Sequence, residues 1–210
     1  REVPPGRGAS WIYEPNTQKF LRFGGYTPTY SNAVDEFDPV TKTWKRLFAH
    51  DETYPQTRPG GGSKWMLSYD SAKKVIWMAG GWYTTGNTGD VGIWTYEPIQ
   101  KIFTKIANPL TYNGYYAFDK TNNLIVATPS IPAYHGFSKK TQVFSIATST
   151  WESRTTDSLP QSTYGGNYPA IFDPSIGKTV LLQDSLVWYY DAALNKWTRV
   201  VTTGRHIAKS

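Results

Sequence analysis

The sequence predicts an all-β fold, with four sheets of four antiparallel strands in tandem. Three observations predict it. The 210 residues hold 9 Trp, 15 Tyr and 9 Phe among 18 Gly and 14 Pro, a mixture of strand formers and turn formers. Segments with helical apolar spacing and no Gly or Pro are nearly absent. Finally, one order of features recurs four times along the chain.

Each copy opens on a short apolar segment that ends in an aromatic residue and an acid. These are Trp11 to Glu14, Leu67 to Asp70, Tyr116 to Asp119 and Ala170 to Asp173. A polar turn follows, and then a second apolar segment: Phe20 to Phe23, Val75 to Met78, Leu124 to Ala127 and Val180 to Leu182. In the first two copies this segment ends in a diglycine, Gly24-Gly25 and Gly80-Gly81. Gly-Gly at a strand end suits positive φ and close approach of a neighbouring chain. After a loop of variable length comes a third segment, Val34 to Phe37, Ile93 to Tyr96, Val143 to Ile146 and Val187 to Tyr190. A large aromatic then opens the fourth: Trp44, Phe103, Trp151 and Trp197. Seven residues separate Phe37 from Trp44, Tyr96 from Phe103 and Tyr190 from Trp197; Ile146 to Trp151 is five.

Such a four-stranded meander cannot bury both faces alone and is expected to stack on copies of itself, radially in a propeller. The stretch Ser185 to Trp197 competes with this reading, because Leu186, Tyr189, Tyr190, Ala193, Leu194 and Trp197 fall at helical spacing. The matching stretches of copies one and two carry Asp38-Pro39 and Glu97-Pro98, where proline would break a helix, so a strand hairpin is expected here too.

Phe20-Leu21-Arg22-Phe23-Gly24-Gly25 followed by Phe37-Asp38-Pro39-Val40-Thr41-Lys42-Thr43-Trp44 resembles the Kelch repeat. The resemblance spans about residues 5 to 201. Copies three and four depart from it, with Thr128-Pro129 and Gln183-Asp184 in place of the diglycine. It implies a Kelch-type β-propeller of six or seven blades, with the first strand of each blade nearest the axis. Blades are expected at about 8–50, 62–107, 113–155 and 167–201, with 202–210 starting a fifth. Six or seven repeats would need roughly 300 to 350 residues, so the remaining blades or domains of a longer chain are expected partners. The alternative is a complete four-bladed ring like the hemopexin-like propellers, which typically carry a disulfide that this cysteine-free chain lacks.

Composition excludes several classes. Absence of Cys removes disulfides, thiolate metal sites and cysteine nucleophiles. At 16% aromatic and 18% charged, the composition is opposite to that of a disordered chain. No apolar run reaches the roughly 20 residues of a membrane span. The net charge of +6 permits weak attraction to polyanions, but no basic stripe supports nucleic-acid binding. Gly60-Gly61-Gly62-Ser63-Lys64 lacks the spacing of a phosphate loop. His50, His135 and His206 do not fall at metal-ligand spacing, and Asp35 and Glu36 point to opposite sides of a strand. The tyrosine–cysteine cofactor of galactose-oxidase-type copper enzymes, which also use Kelch-like propellers, is impossible in this segment. No catalytic residue, metal or cofactor is therefore expected.

Function is expected on the face that carries the long second-to-third loops and the blade connections, because the opposite turns are short. The candidate ligand-binding residues there are Tyr26, Tyr30, Trp82, Tyr83, Tyr134, His135, Tyr164 and Arg58. Aromatic rings beside Asn, Thr and Asp suit a sugar ring or a protein surface. The chain is thus read as a non-catalytic binding or assembly module for a protein or glycan, and its composition points to an extracellular or cell-surface location. The alternative is a scaffold domain of an enzyme whose catalytic groups lie in missing blades or another domain.

Overall fold

One device closes the hairpin turns, and it explains why an acid stands at the end of each first strand. In a turn that follows a strand, two successive backbone N–H groups lack a ladder partner, and a carboxylate at the strand end can accept both. The Glu14 carboxylate accepts from the N–H groups of Asn16 (2.9 Å) and Thr17 (2.7 Å). Asp70 does so from Ala72 and Lys73, and Asp119 from Thr121 and Asn122. Asp38 and Asp191 repeat this at the third-to-fourth turns. The last turn residue then takes a left-handed conformation, at Gln18, Lys42, Lys74, Lys101, Asn123, Ser149, Gly177 and Asn195, with φ between 51° and 66°.

The computed structural model describes residues 6–27, 29–51, 57–82, 92–108, 116–127, 140–156, 160, 170–183 and 186–201. The chain divides into two compact units, Arg1–Asn113 and Gly114–Ser210. In the first unit, strands β1 (Ser10–Glu14), β2 (Lys19–Phe23), β5 (Val34–Asp38) and β6 (Thr43–Phe48) form an antiparallel meander in that order. Two short strands, β3 (Tyr26–Thr27) and β4 (Thr29–Tyr30), pair as a separate hairpin inside the β2–β5 loop. Strands β7 (Ser63–Asp70), β8 (Val75–Trp82), β9 (Ile93–Glu97) and β10 (Ile102–Ala107) form the second sheet.

The second unit repeats the plan. One sheet is β11 (Tyr116–Asp119), β12 (Leu124–Ala127), β13 (Thr141–Ser145) and β14 (Thr150–Arg154). The other is β15 (Ala170–Asp173), β16 (Lys178–Gln183), β17 (Leu186–Asp191) and β18 (Lys196–Val200). The chain is therefore all-β, with four four-stranded antiparallel sheets in blade-like arrangement. The stretch with helical spacing is a hairpin: Asp191 caps its turn, Tyr190 pairs with Trp197, and the Tyr190 hydroxyl donates to Asn195 Oδ1 at 2.9 Å.

Within each unit, the two sheets pack by opposite faces. Alternation along a strand sends successive side chains to opposite faces. In the first sheet, Leu21, Phe23 and Val34 share one face and bury against Ile76, Met78, Trp94 and Tyr96 of the second. Phe23 meets Tyr96 edge-on at 5.6 Å, and Phe48 meets Phe103 at 5.5 Å. Burial raises the Tyr96 phenol well above its ordinary range, helped by the negative charges of Glu36 and Glu14. In the second unit, Leu124, Val126 and Val143 pack on Leu181, Tyr190 and Trp197. There Trp197 Nε1 donates to Thr141 Oγ1 at 2.7 Å across the interface.

Two details correct the expected register. Phe144, not Ile146, faces Trp151, so the seven-residue spacing holds in the third copy as well. The turn Ile146 to Ser149 contributes its own polar cap, with Thr148 N–H donating to Ser145 Oγ at 3.3 Å. The second diglycine does not end its strand: β8 continues to Trp82, because the longer β7 extends the ladder through Trp65↔Gly80 to Ser63↔Trp82.

Candidate functional site

The first diglycine has a steric cause. Gly24 (φ +65°) and Gly25 (φ +113°) turn the chain out of β2. A Cβ on Gly24 would lie 2.1 Å from the carbonyl oxygen of Gly62, which is backbone and cannot yield. That carbonyl accepts the Gly25 N–H at 2.9 Å, and Gly62 N–H donates to Ser31 O at 3.1 Å. The Gly60–Gly62 run is thus a backbone clasp on the β2–β5 loop. Beside the clasp, Phe23, Ser31, Asn32, Pro59 and Trp65 line a crevice with room for about one water molecule.

Beside it stands the β3–β4 hairpin. Tyr26 and Tyr30 are paired across it, with ring centroids 5.1 Å apart in a T-shaped contact. Arg7 bridges to Tyr26 through both backbone groups, and its guanidinium sits 5.3 Å over the Tyr26 ring. Tyr30 is buried and Tyr26 is half-buried, so Tyr30 anchors the hairpin and Tyr26 keeps an accessible surface.

A second cluster holds the far side of the loop. Buried Asn32 donates through Nδ2 to Asp51 O (3.2 Å), and its Oδ1 accepts the Asp51 N–H (2.9 Å). His50 Nδ1 lies 3.0 Å from Asn32 Oδ1 and 3.4 Å from Asn32 N. One ring nitrogen cannot donate to the first and accept from the second, and the shorter contact favours Nδ1–H donating to Oδ1. Arg58 donates to Ala49 O at 2.8 Å, lies 3.9 Å from Asp51 and stacks 5.7 Å from the Phe48 ring centroid. Burial pulls its guanidinium below the ordinary arginine value, and the Asp51 charge opposes this.

Of the predicted ligand residues, Tyr26, Tyr30 and Arg58 therefore stand in one loop system of the first unit. Trp82 ends β8. Tyr83, Tyr134, His135 and Tyr164 lie outside the described residues. Arg58 is tied down by its own backbone partner, which sequence could not show. From sequence alone, Arg7 has no role at this site, Asp51 stands out only as half of the adjacent carboxylate pair Asp51-Glu52, and His50 reads as an ordinary loop residue. Their roles depend on contacts across 18 or more residues, and no local motif signals them.

The carboxylates of this region are engaged in structure. Asp35, at the centre of the first sheet, accepts from buried Arg22 Nη1 at 2.9 Å and from Arg46 Nε. Glu36 points to the other side and pairs with Lys19 at 3.1 Å. Among the described residues, no three His, Cys, Asp or Glu side chains converge as metal ligands, and no helix is long and apolar enough to cross a membrane. What the loop system offers is an aromatic surface, a cation and backbone polar groups held in one place.

No family model and no curated protein matches the sequence. Among solved structures, the fold is similar to that of a Bacteroides ovatus protein described as an auxiliary nutrient binding protein. The two chains are 12% identical, with a TM-score of 0.61. The match covers 98% of this chain and 44% of that one, so residues 1–210 span less than half the length of the protein they resemble in fold.

Proposed function

We propose that the chain is a non-catalytic binding or assembly module of the Kelch type, and that it takes a protein or glycan ligand on the long-loop end of its sheets. The observation that carries this reading is the hairpin inserted in the β2–β5 loop. Tyr26 and Tyr30 add nothing to the sheet ladder, yet they are pinned by Arg7 and by the Gly60–Gly62 clasp, with Tyr26 left partly exposed. Rigid aromatic surface held in advance loses little entropy on binding. The carboxylates that could serve hydrolysis, Asp35 and Glu36, are spent on internal ion pairs. A protein with this fold that is described as nutrient binding supports a ligand-taking role; a place outside the cell or at its surface is read from composition.

In this reading, Tyr26 offers a ring face, Arg7 and Arg58 supply positive charge, and Trp82, Tyr83, Tyr134, His135 and Tyr164 extend the surface. The test is a glycan array and a protein pull-down with the native chain, with Tyr26→Ala, and with Trp82→Ala combined with Tyr83→Ala. Binding is expected to weaken about tenfold or more for each variant, with the thermal midpoint of Tyr26→Ala nearly unchanged. Native-level binding by both variants would sink the proposal.

A further inference from the structure

The two interfaces inside the units follow one rule. Each second-of-pair sheet turns toward its predecessor the face that carries the aromatic residue before the acid; this is its leading face. In the second sheet that face presents Tyr69, Ile76, Tyr96 and Phe103, and in the fourth Tyr190 and Trp197. The predecessor answers with its trailing face, Leu21, Phe23, Val34 and Phe48 in the first sheet and Leu124, Val126 and Val143 in the third. Aromatic leading faces therefore sit on apolar trailing faces, aliphatic in the third sheet and mixed aliphatic and aromatic in the first.

Register carries the rule to the first sheet. Its turns align with those of the second through Gln18 and Lys74, and through Lys42 and Lys101. Tyr13 thus corresponds to Tyr69, Phe20 to Ile76, Phe37 to Tyr96 and Trp44 to Phe103. In the second sheet Ile76 and Tyr96 are fully buried. In the first, Trp11, Tyr13 and Phe20 are 48%, 46% and 37% exposed. They are already organised as a surface: Trp11 meets Trp44 edge-on at 5.3 Å, Phe37 meets Trp44 at 4.9 Å and Tyr13 meets Phe20 at 5.2 Å. The other half of this face holds the Arg22–Asp35–Arg46 ion network, with Arg22 and Asp35 buried, so the open part is the aromatic half. An open aromatic patch of this kind is rare unless it is covered in use.

We propose that this leading face docks the apolar trailing face of a further blade, carried by the same polypeptide outside residues 1–210. Three points commit it to that occupant. The register makes the face equivalent to one that a four-stranded sheet covers elsewhere in the chain. Trp44 occupies the position of Trp197, whose indole N–H finds a threonine hydroxyl on the trailing face it meets, so an incoming blade is expected to offer an acceptor there. And the solved structure with this fold is more than twice as long, since this chain spans 44% of it.

The test places p-benzoylphenylalanine at position 11 (Trp11→p-benzoylphenylalanine) in the intact native polypeptide, irradiates it and sequences the crosslinked peptide. A position already half exposed and aromatic tolerates the change, and Tyr13→p-benzoylphenylalanine serves if the first variant does not fold. The proposal expects an intramolecular crosslink to a strand outside residues 1–210, with alternating apolar residues. Hydroxyl-radical footprinting of the unmodified polypeptide should accordingly leave Trp11, Tyr13 and Phe20 unlabelled. A crosslink into residues 170–200 of the same molecule, which would mean closure on the fourth sheet, overturns it. So does a crosslink between isotopically distinct copies, which would mean self-association. Full labelling of the three aromatics, or a native polypeptide of 23.7 kDa, overturns it equally.

Discussion

At the scale of the residue, the fold depends on backbone sites that tolerate few alternatives, and these differ in kind. Gly24 needs both positive φ and empty space, because any Cβ meets the Gly62 carbonyl. Gly24→Ala is expected to cost about 3 kcal/mol or more, read as a fall in the urea midpoint. Ser149 needs only the positive φ, at 54° in an exposed turn. A left-handed L-residue costs about 1–2 kcal/mol, against which glycine loses about 0.5–1 kcal/mol of chain entropy on folding. Ser149→Gly should therefore stabilise by about 0.5–1 kcal/mol in the same titration. The turn carboxylates add a pH dependence. Asp191 is held below its usual value by the Lys178 ammonium and the Leu194 N–H, Asp38 mainly by the Thr41 N–H, and Asp173 by the Ser175 hydroxyl. A carboxylate whose pKa is lower folded than unfolded binds fewer protons folded. Its stabilisation is complete above the ordinary value of 3.8 and is lost as pH falls below it. The melting temperature should thus drop steeply below about pH 4, and Asp191→Asn should flatten that drop while lowering the plateau at pH 7. An unchanged acid slope in the variant would contradict this.

At the scale of the element, the hairpins were legible in the sequence because their determinants are local: an acid at the strand end, a polar turn and an aromatic seven residues after its partner. The stretch Ser185 to Trp197 shows both the strength and the limit of local reading. Its own apolar spacing fits a helix, and comparison with Asp38-Pro39 and Glu97-Pro98 was needed to reject that. The third copy was read two residues out of step for the opposite reason, since Ile146 looks like a strand residue but belongs to a turn capped by Ser145. The site was less legible. Tyr26 and Tyr30 could be placed on a long loop, but their pairing in a hairpin of two-residue strands, and the Asn32–His50–Asp51 cluster, rest on contacts that no repeat encodes. The blade interface was likewise hidden, although its polar contact is specific. Trp197→Phe removes the indole N–H from the fully buried Thr141 hydroxyl, which should cost about 1–3 kcal/mol. If that hydrogen bond is the cause, Thr141→Val should cost clearly less in the Trp197→Phe background than in the native chain. Equal costs in both backgrounds would mean that packing volume alone is responsible.

At the scale of the whole molecule, stability comes from what lies between sheets. A four-stranded meander buries one face at most by its own means, and in each unit the largest buried side chains, such as Trp94 and Tyr96 or Tyr190 and Trp197, lie where two sheets meet. Stability in such an array is a sum of sheet terms and nearest-neighbour terms, and here the neighbour term is the larger, because the core is shared. A cavity cut into it should consequently be felt by both sheets. Leu21 is 1% exposed and belongs to the first sheet, yet its packing partners include Ile76, Met78 and Tyr96 of the second. Leu21→Ala is expected to cost about 2–5 kcal/mol. Its signature should be faster amide exchange by similar factors in β2, β5, β8 and β9, since opening one sheet strips the apolar cover from the other. Exchange that quickened in β2 and β5 while β8 and β9 kept their native protection would show that each sheet holds its own core, and the neighbour term would then have to be assigned to the loops that clasp the sheets at Gly24 and Gly62.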